Sequence, residues 1–174
     1  MAVIASDIKY YLSGGAANTD PDLALGGKVS TTEVVVSPSL NSIFDDVTAD
    51  QALAGIVEYR CIYVFNGNLT DNLTSGKVWI SANTPSAGTE IAIGLDPAGV
   101  GDGDTTGEAA TIVDEKTAPA GVTFSSPSTE GASLAIAAMA AQGGFALWIR
   151  RTVTEGTEAA NNDPFTITFK GTPA

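Results

Sequence analysis

The chain has 174 residues and carries 20 acidic against 8 basic side chains, which gives a formal net charge of −12 at pH 7. It has no histidine and a single cysteine, so histidine-based acid–base catalysis and an internal disulfide are both excluded. A phosphate backbone requires clustered lysine and arginine, and the acidic balance therefore argues against nucleic-acid binding.

The length predicts a single domain spanning residues 1–174. The N-terminal residues contain no basic segment followed by a long apolar run, so we expect no secretory signal. No stretch of the sequence approaches the length of a membrane span, and we expect no membrane partner.

Short apolar runs alternate with polar residues from one end of the chain to the other, which is the pattern of β-strands. Residues 7–12 and 28–36 predict the first two strands. Residues 13–27, which lie between them, are rich in glycine and other turn formers and predict an extended loop. A loop of this length is unusual unless it is functional or packs on a partner.

The strongest predicted strand covers residues 56–66. Alternation places Cys61 and Tyr63 on one face and Ile62 and Val64 on the other, which indicates that both faces are partly covered, as in a central strand or at a subunit contact. We expect the thiol of Cys61 to be buried and structural, because a nucleophilic cysteine would need a histidine partner.

The Asn66-Gly67 dipeptide then predicts a hairpin turn, and residues 50–53 predict one helical turn. Residues 96–108 predict an acidic, glycine-rich loop, and residues 133–141 a strand followed by a turn. Further strands are predicted at 76–81, 90–95, 109–113, 121–125, 144–154 and 164–170. About nine or ten strands without βαβ spacing predict an all-β fold, an antiparallel β-sandwich or jelly roll.

Candidate chemistry is sparse. Asp102-Gly103-Asp104 places oxygen ligands on alternate residues, as in a calcium loop, but the EF-hand spacing is absent and we expect a solvated acidic loop. Asp45-Asp46 and Asp114-Glu115 are carboxylate pairs, yet neighbours in a strand point to opposite faces and cannot flank one glycosidic bond. We therefore predict no catalytic residue, no metal ligand, no cofactor and no enzyme activity.

Other residues are expected to contact polypeptide. Arginines in the strands of an acidic protein, here Arg60, Arg150 and Arg151, pair with acids on a neighbouring strand or contact a partner subunit. Aromatic residues in strands serve cores and interfaces. The predicted interface residues are Tyr10, Tyr11, Leu23, Leu25, Arg150 and Arg151.

Several segments carry a family resemblance. They are SDIKYYLSGGAANTDP (6–21), LGG (25–27), IFDDVT (43–48), EYRCIYV (58–64), TAPAGVTF (117–124), WIRRTV (148–153) and NND (161–163). They extend along most of the chain and resemble a family of tailed-bacteriophage virion proteins.

The resemblance implies a structural component of the particle. We expect a capsid decoration or cement protein that stabilises the head by bridging capsid subunits through the 13–27 and 96–108 loops. Its partners would be the major capsid protein and copies of itself, as a trimer at a symmetry axis, without nucleic acid or small-molecule substrate. It would reside in the virion after assembly in the bacterial host cytoplasm.

Three alternatives stay open on the sequence alone. The same sandwich could serve in the neck, tail or baseplate. It could be a host-glycan-binding module that stacks sugars on Trp79 or Trp148. An enzyme is the third alternative, although the usual acid–base residue is missing.

Overall fold

A computed structural model describes residues 2–34, 41–158, 160 and 162–174. Within these residues the fold is all-β, as predicted, with ten strands in antiparallel sheets. The strands are β1 (Ile8–Ser13), β2 (Gly26–Gly27), β3 (Val29–Glu33), β4 (Ile56–Asn66), β5 (Leu73–Ala82), β6 (Thr89–Gly101), β7 (Ala109–Thr111), β8 (Leu134–Ile136), β9 (Gly144–Val153) and β10 (Thr166–Pro173).

Two sheets form the sandwich and a third, smaller one lies outside it. The five-stranded sheet has the order β3-β1-β4-β9-β6, the three-stranded sheet has the order β10-β5-β8, and β2 pairs with β7. Apolar side chains from both larger sheets share one core, which includes Val78 and Ile80 of β5 and Leu147 of β9. The sandwich is thereby confirmed, and the finer jelly-roll topology stays a prediction.

The central strands are covered on both faces, as the alternation predicts. Ile62 and Val64 of β4 face the core between the sheets, whereas Cys61 and Tyr63 face a second apolar cluster on the outer side. That outer cluster includes Trp148 of β9. The thiol of Cys61 is buried, and burial raises its pKa, so the expected structural thiol is confirmed.

Polar groups attach the outer cover to the sheet. The hydroxyl of Tyr63 donates a hydrogen bond to the carbonyl of Gly27 at 2.6 Å and accepts one from the amide of Ala109 at 2.8 Å. Gly26 has a φ of +90°, and a Cβ placed there would lie 1.8 Å from the carbonyl oxygen of Ala110. Only glycine allows β2 to approach β7 this closely.

The two predicted loops are more ordered than expected. Residues 13–27 contain a 3-10 turn, Pro21–Leu23, as well as β2. The prediction of a loop at 96–108 is wrong in extent, because β6 continues to Gly101 through an irregularity between Leu95 and Val100. The carboxylate of Asp96 is buried here and accepts a hydrogen bond from the indole nitrogen of Trp148 at 2.8 Å.

Two further predictions are wrong. Asn66-Gly67 does not close a hairpin, because β4 and β5 belong to different sheets, and the Asn66 amide instead donates to the carbonyls of Asp71 and Ala140. Residues 121–125 form no strand and contribute one isolated bridge, between Ser125 and Ile93.

Several shorter predictions hold. The helical turn is α1 (Ala49–Ala54), which is capped by Thr48 at its start and by Gly55 at its end. The predicted strand within 133–141 is β8. The predicted strand at 28–36 is β3, although residues 35–36 lie outside the described part of the chain.

Candidate functional site

The six predicted interface residues do not form one surface. Tyr10 packs against the core between the sheets, whereas Tyr11 and Leu25 pack against the outer cluster. The guanidinium of Arg150 lies over the ring of Phe124 at 5.3 Å, while that of Arg151 is buried among acids of its own chain. Of the six, Leu23 is the large apolar side chain that is exposed.

Among the described residues, four of the six exposed large apolar side chains lie on segments that border the first half of β4, whereas Ile4 and Leu69 lie near its other end. Leu23 is 59% and Val113 87% exposed, and their segments are joined where the amide of Ile112 donates to the carbonyl of Leu25 at 3.0 Å. The exposed Val57 lies at the start of β4, and the exposed Leu53 lies in α1 just before it. We call Leu23, Leu53, Val57 and Val113 the apolar end.

Beside the apolar end lies a cluster of charges that the sequence analysis did not assemble. Its members come from two central strands and three connecting segments. We call it the charge cluster, and it comprises Asp22, Asp45, Glu58, Arg60, Glu115 and Arg151.

Arg151 of β9 sits opposite Glu58 of β4 in the strand register. Its Nε and Nη2 both donate to Oε2 of Glu58, and its Nη1 donates to the carbonyl of Asp45 at 2.7 Å. Nη2 also pairs with the Asp45 carboxylate at 3.3 Å. This confirms, for Arg151, the prediction of an ion pair between neighbouring strands.

Arg60 also pairs with acids. The prediction placed these acids on a neighbouring strand, but they lie on connecting segments. Its Nη2 donates to Oε2 of Glu115 at 2.6 Å and to Oδ1 of Asp22 at 3.0 Å. The ring of Phe44 lies within reach of both guanidinium groups, with its centroid 4.7 Å from Arg151 and 5.6 Å from Arg60. The cluster thus attaches three connecting segments to the central sheet.

Glu58 is the deepest carboxylate of the charge cluster. Its Oε1 is buried and accepts no hydrogen bond from the residues that the structure describes. Burial raises the pKa of Glu58, and the nearby charges of Glu115 and Asp45 add to this, whereas Arg151 opposes it. One carboxylate oxygen from each of Asp45, Glu58 and Glu115 lies within 4.8 Å of the other two.

The charge cluster tests the prediction that the carboxylates of Asp45-Asp46 and of Asp114-Glu115 point in different directions. Within Asp45-Asp46 and Asp114-Glu115, only one member of each pair joins the cluster. As predicted, the two carboxylates of each pair do not lie together. One acid from each pair instead lies beside Glu58. The sequence signal that was missed is Glu58-x-Arg60, two charges on the same face of a central strand.

In the predicted acidic loop, the carboxylate of Asp102 is hydrogen-bonded to backbone amides of the same loop. Oδ1 of Asp102 accepts hydrogen bonds from the amides of Asp104, Thr105 and Thr106, each at 2.9 Å. These bonds hold the pKa of Asp102 well below its usual range. Asp104 pairs with Lys28 at 3.0 Å. Asp102 therefore acts as the capping group of its own turn.

The sugar-stacking alternative loses one of its two candidate residues. Trp148 is fully buried in the outer cluster, so its ring is not accessible to a glycan. Trp79 is half-buried on β5. Within the described residues, no helix has the length and apolar character needed to cross a bilayer.

Comparisons of this chain with protein-family models, with curated proteins and with solved structures found no match.

Proposed function

We propose that this chain is a structural protein of a bacteriophage virion, a capsid decoration protein that bridges neighbouring capsid subunits and transforms no molecule. The observation that carries the proposal is the apolar end. Leu23 and Val113 present large apolar side chains to solvent on segments that are hydrogen-bonded to a rigid sandwich. Exposed apolar groups on a well-packed scaffold favour contact with another polypeptide.

The electrostatics support the same role. A net charge of −12 disfavours contact with packaged DNA and suits a position on the outside of the shell. Charged residues make up only 16% of the chain, which leaves a surface rich in small and hydroxyl-bearing residues. Such a surface can lie against other subunits with few charges to desolvate.

The segment 13–27 supplies one exposed part of the proposed contact, the turn that carries Leu23. Its Pro21–Leu23 turn begins at Asp20, whose Oδ1 accepts a hydrogen bond from the Asp22 amide at 3.0 Å. Asp22 in turn pairs with the buried Arg60, which fixes the turn that carries Leu23. A pre-ordered contact loop loses little conformational entropy when it binds. We propose that copies of the chain associate as a trimer around a symmetry axis of the shell.

The test is recruitment to stripped particles. Purified protein should rebind to capsids from which the natural copies have been removed, at a fixed ratio to the major capsid protein. Leu23→Asp and Val113→Asp place a charge in the proposed contact. We expect each to weaken rebinding about thirtyfold, because a central contact residue contributes about 2 kcal/mol or more.

Leu69→Asp is the matched control. Leu69 is 81% exposed and follows the other end of β4, whose residues from Val57 to Asn66 span about 30 Å. This variant should rebind like the wild type. Recruitment to tail tubes or baseplates but not to stripped capsids would replace the decoration role with a tail role. Equal loss in all three variants would show that the apolar end is not the contact.

A further inference from the structure

Three carboxylates of the charge cluster are spaced like the ligands of one cation. One oxygen from each of Asp45, Glu58 and Glu115 lies within 4.8 Å of the other two. Calcium binds carboxylate oxygens at about 2.3–2.6 Å, so two of its ligands lie at most about 5 Å apart. We propose that these three side chains bind a single divalent cation, and that calcium is the ion that fits them.

The second observation is the unsatisfied oxygen of Glu58. Its side chain is 0% exposed, and Oε1 accepts no hydrogen bond from the described residues, although Oε2 is held by Arg151. A buried carboxylate oxygen without a partner is costly, and proteins normally supply a donor or a metal ion. A cation bound between Glu58, Asp45 and Glu115 would satisfy this oxygen.

The charge balance leads to the same ion. The charge cluster contains four carboxylates and two guanidinium groups, which leaves two negative charges for one divalent cation to neutralise. In their ion pairs with the arginines, the three proposed ligands use Oδ1 of Asp45, Oε2 of Glu58 and Oε2 of Glu115. The arginines therefore orient the carboxylates through one oxygen of each, and in this proposal the cation binds the other.

Access and ligand type narrow the choice of ion. The side chains of Asp45 and Glu115 are 45% and 29% exposed, so the site opens to solvent above the buried Glu58 and water can complete the coordination. Carboxylate oxygens without histidine or cysteine suit hard cations rather than zinc. Magnesium requires near-ideal octahedral geometry and keeps several of its waters, whereas calcium accepts irregular sets of carboxylate and water oxygens, so a site of three carboxylates beside two arginines favours calcium.

The bound ion would have a structural effect that does not depend on the proposed role in the virion. Asp45 and Glu115 lie on connecting segments, and Glu58 lies in the central strand β4. One cation would therefore join two loops to the sheet. It would also remove the repulsion that the charges of Asp45 and Glu115 exert on Glu58.

The experiment is a calcium titration of the purified full chain after treatment with EDTA. Isothermal titration and native mass spectrometry should show one ion bound per chain, and added calcium should raise the melting temperature more than magnesium at equal concentration. Asp45→Asn and Glu115→Gln keep the size of each side chain and remove its charge. We expect each to weaken calcium binding about tenfold or more.

Asp46→Asn is the matched control, because it removes the same charge from the adjacent, exposed residue. It should leave calcium affinity within about twofold, since it is not a ligand. Glu58→Gln should abolish binding if it folds, and the two milder variants decide the matter if it does not. Absence of binding in the wild type at millimolar calcium, or equal weakening by Asp46→Asn, would overturn the proposal.

Discussion

The two halves of one face of β4 are buried in opposite ways. In the second half of the strand, Ile62 and Val64 pack into the apolar core between the sheets. Two and four residues earlier, on the same face, Arg60 and Glu58 are equally buried but lie among charges. The partner strand β9 changes in step, since Leu147 is opposite Ile62 and Arg151 is opposite Glu58.

The difference teaches where the specificity of this fold resides. Apolar packing is tolerant of its neighbours and holds the two sheets together wherever they meet. A buried charge tolerates only a partner at hydrogen-bond distance, so the charge cluster determines which loops cover that end of the sheet. The loops that carry Asp45 and Glu115 are therefore positioned by ion pairs, and the sheets by burial.

The sharpest way to break this comparison is to remove one partner of the buried pair. Glu58→Leu should lower the free energy of unfolding by about 3 kcal/mol, because Arg151 Nε then has no acceptor in a buried site. The double variant Glu58→Leu/Arg151→Leu should recover most of this loss, since it removes both charges. Urea unfolding in EDTA measures both values without a contribution from bound metal.

An exposed ion pair serves as the control for that experiment. Lys170 pairs with Glu130 at 2.9 Å, but the two side chains are 61% and 41% exposed. Lys170→Met should leave the urea midpoint unchanged within error, because exposed pairs are screened. If Glu58→Leu were equally silent, or the double variant were no better than the single one, the charge cluster would not position the loops through buried pairing.

The apolar half of the face can be tested by a cavity. Leu147 is fully buried opposite Ile62, and Leu147→Ala should lower the free energy of unfolding by about 3 kcal/mol through lost burial and an unfilled space. Leu69→Ala makes the same chemical change at an exposed site and should cost less than about 0.5 kcal/mol. Similar losses in the two variants would contradict the assignment of the core.

The same contrast explains what the sequence predicted. Alternation over residues 56–66 indicated a strand with two partly covered faces, because the period of two is a local property. The same alternation puts Glu58 and Arg60 on one face of that strand, but it does not show that the two charges are buried together. It could not identify Glu115 as the partner of Arg60, because 55 residues separate them and the pairing depends on how the loop returns to the sheet.

Local signals failed where tertiary structure overrode them. Asn66-Gly67 is a strong hairpin dipeptide, but the next strand pairs in the other sheet and the turn has no partner strand to close. Asp96 looks like the first residue of an acidic loop, yet its carboxylate is buried by the indole of Trp148, which lies 52 residues away. The residues next to Asn66 and Asp96 in the sequence do not indicate how β5 pairs or that Trp148 contacts Asp96.

The smallest expected change in stability comes from Asp102 in the exposed acidic loop. Its pKa is lowered, whereas that of Glu58 is raised. Hydrogen bonds from the amides of Thr106, Thr105 and Asp104 lower the pKa of Asp102 below its usual 3.8. The folded protein therefore binds this proton less readily than the unfolded chain does. The stabilisation by Asp102 is present above pH 3.8 and is lost as the pH falls through the lowered pKa.

Asp102→Asn removes the titrating group while keeping an oxygen that can accept the amide hydrogen bonds. The variant should be less stable than the wild type at pH 6, and this difference should shrink as the pH falls below 3.8. Urea unfolding at a series of pH values between 6 and about 2.5 measures the two curves. Parallel curves over that range would mean that the loop amides do not favour the charged carboxylate, so that the turn at Asp102 is held by its backbone alone.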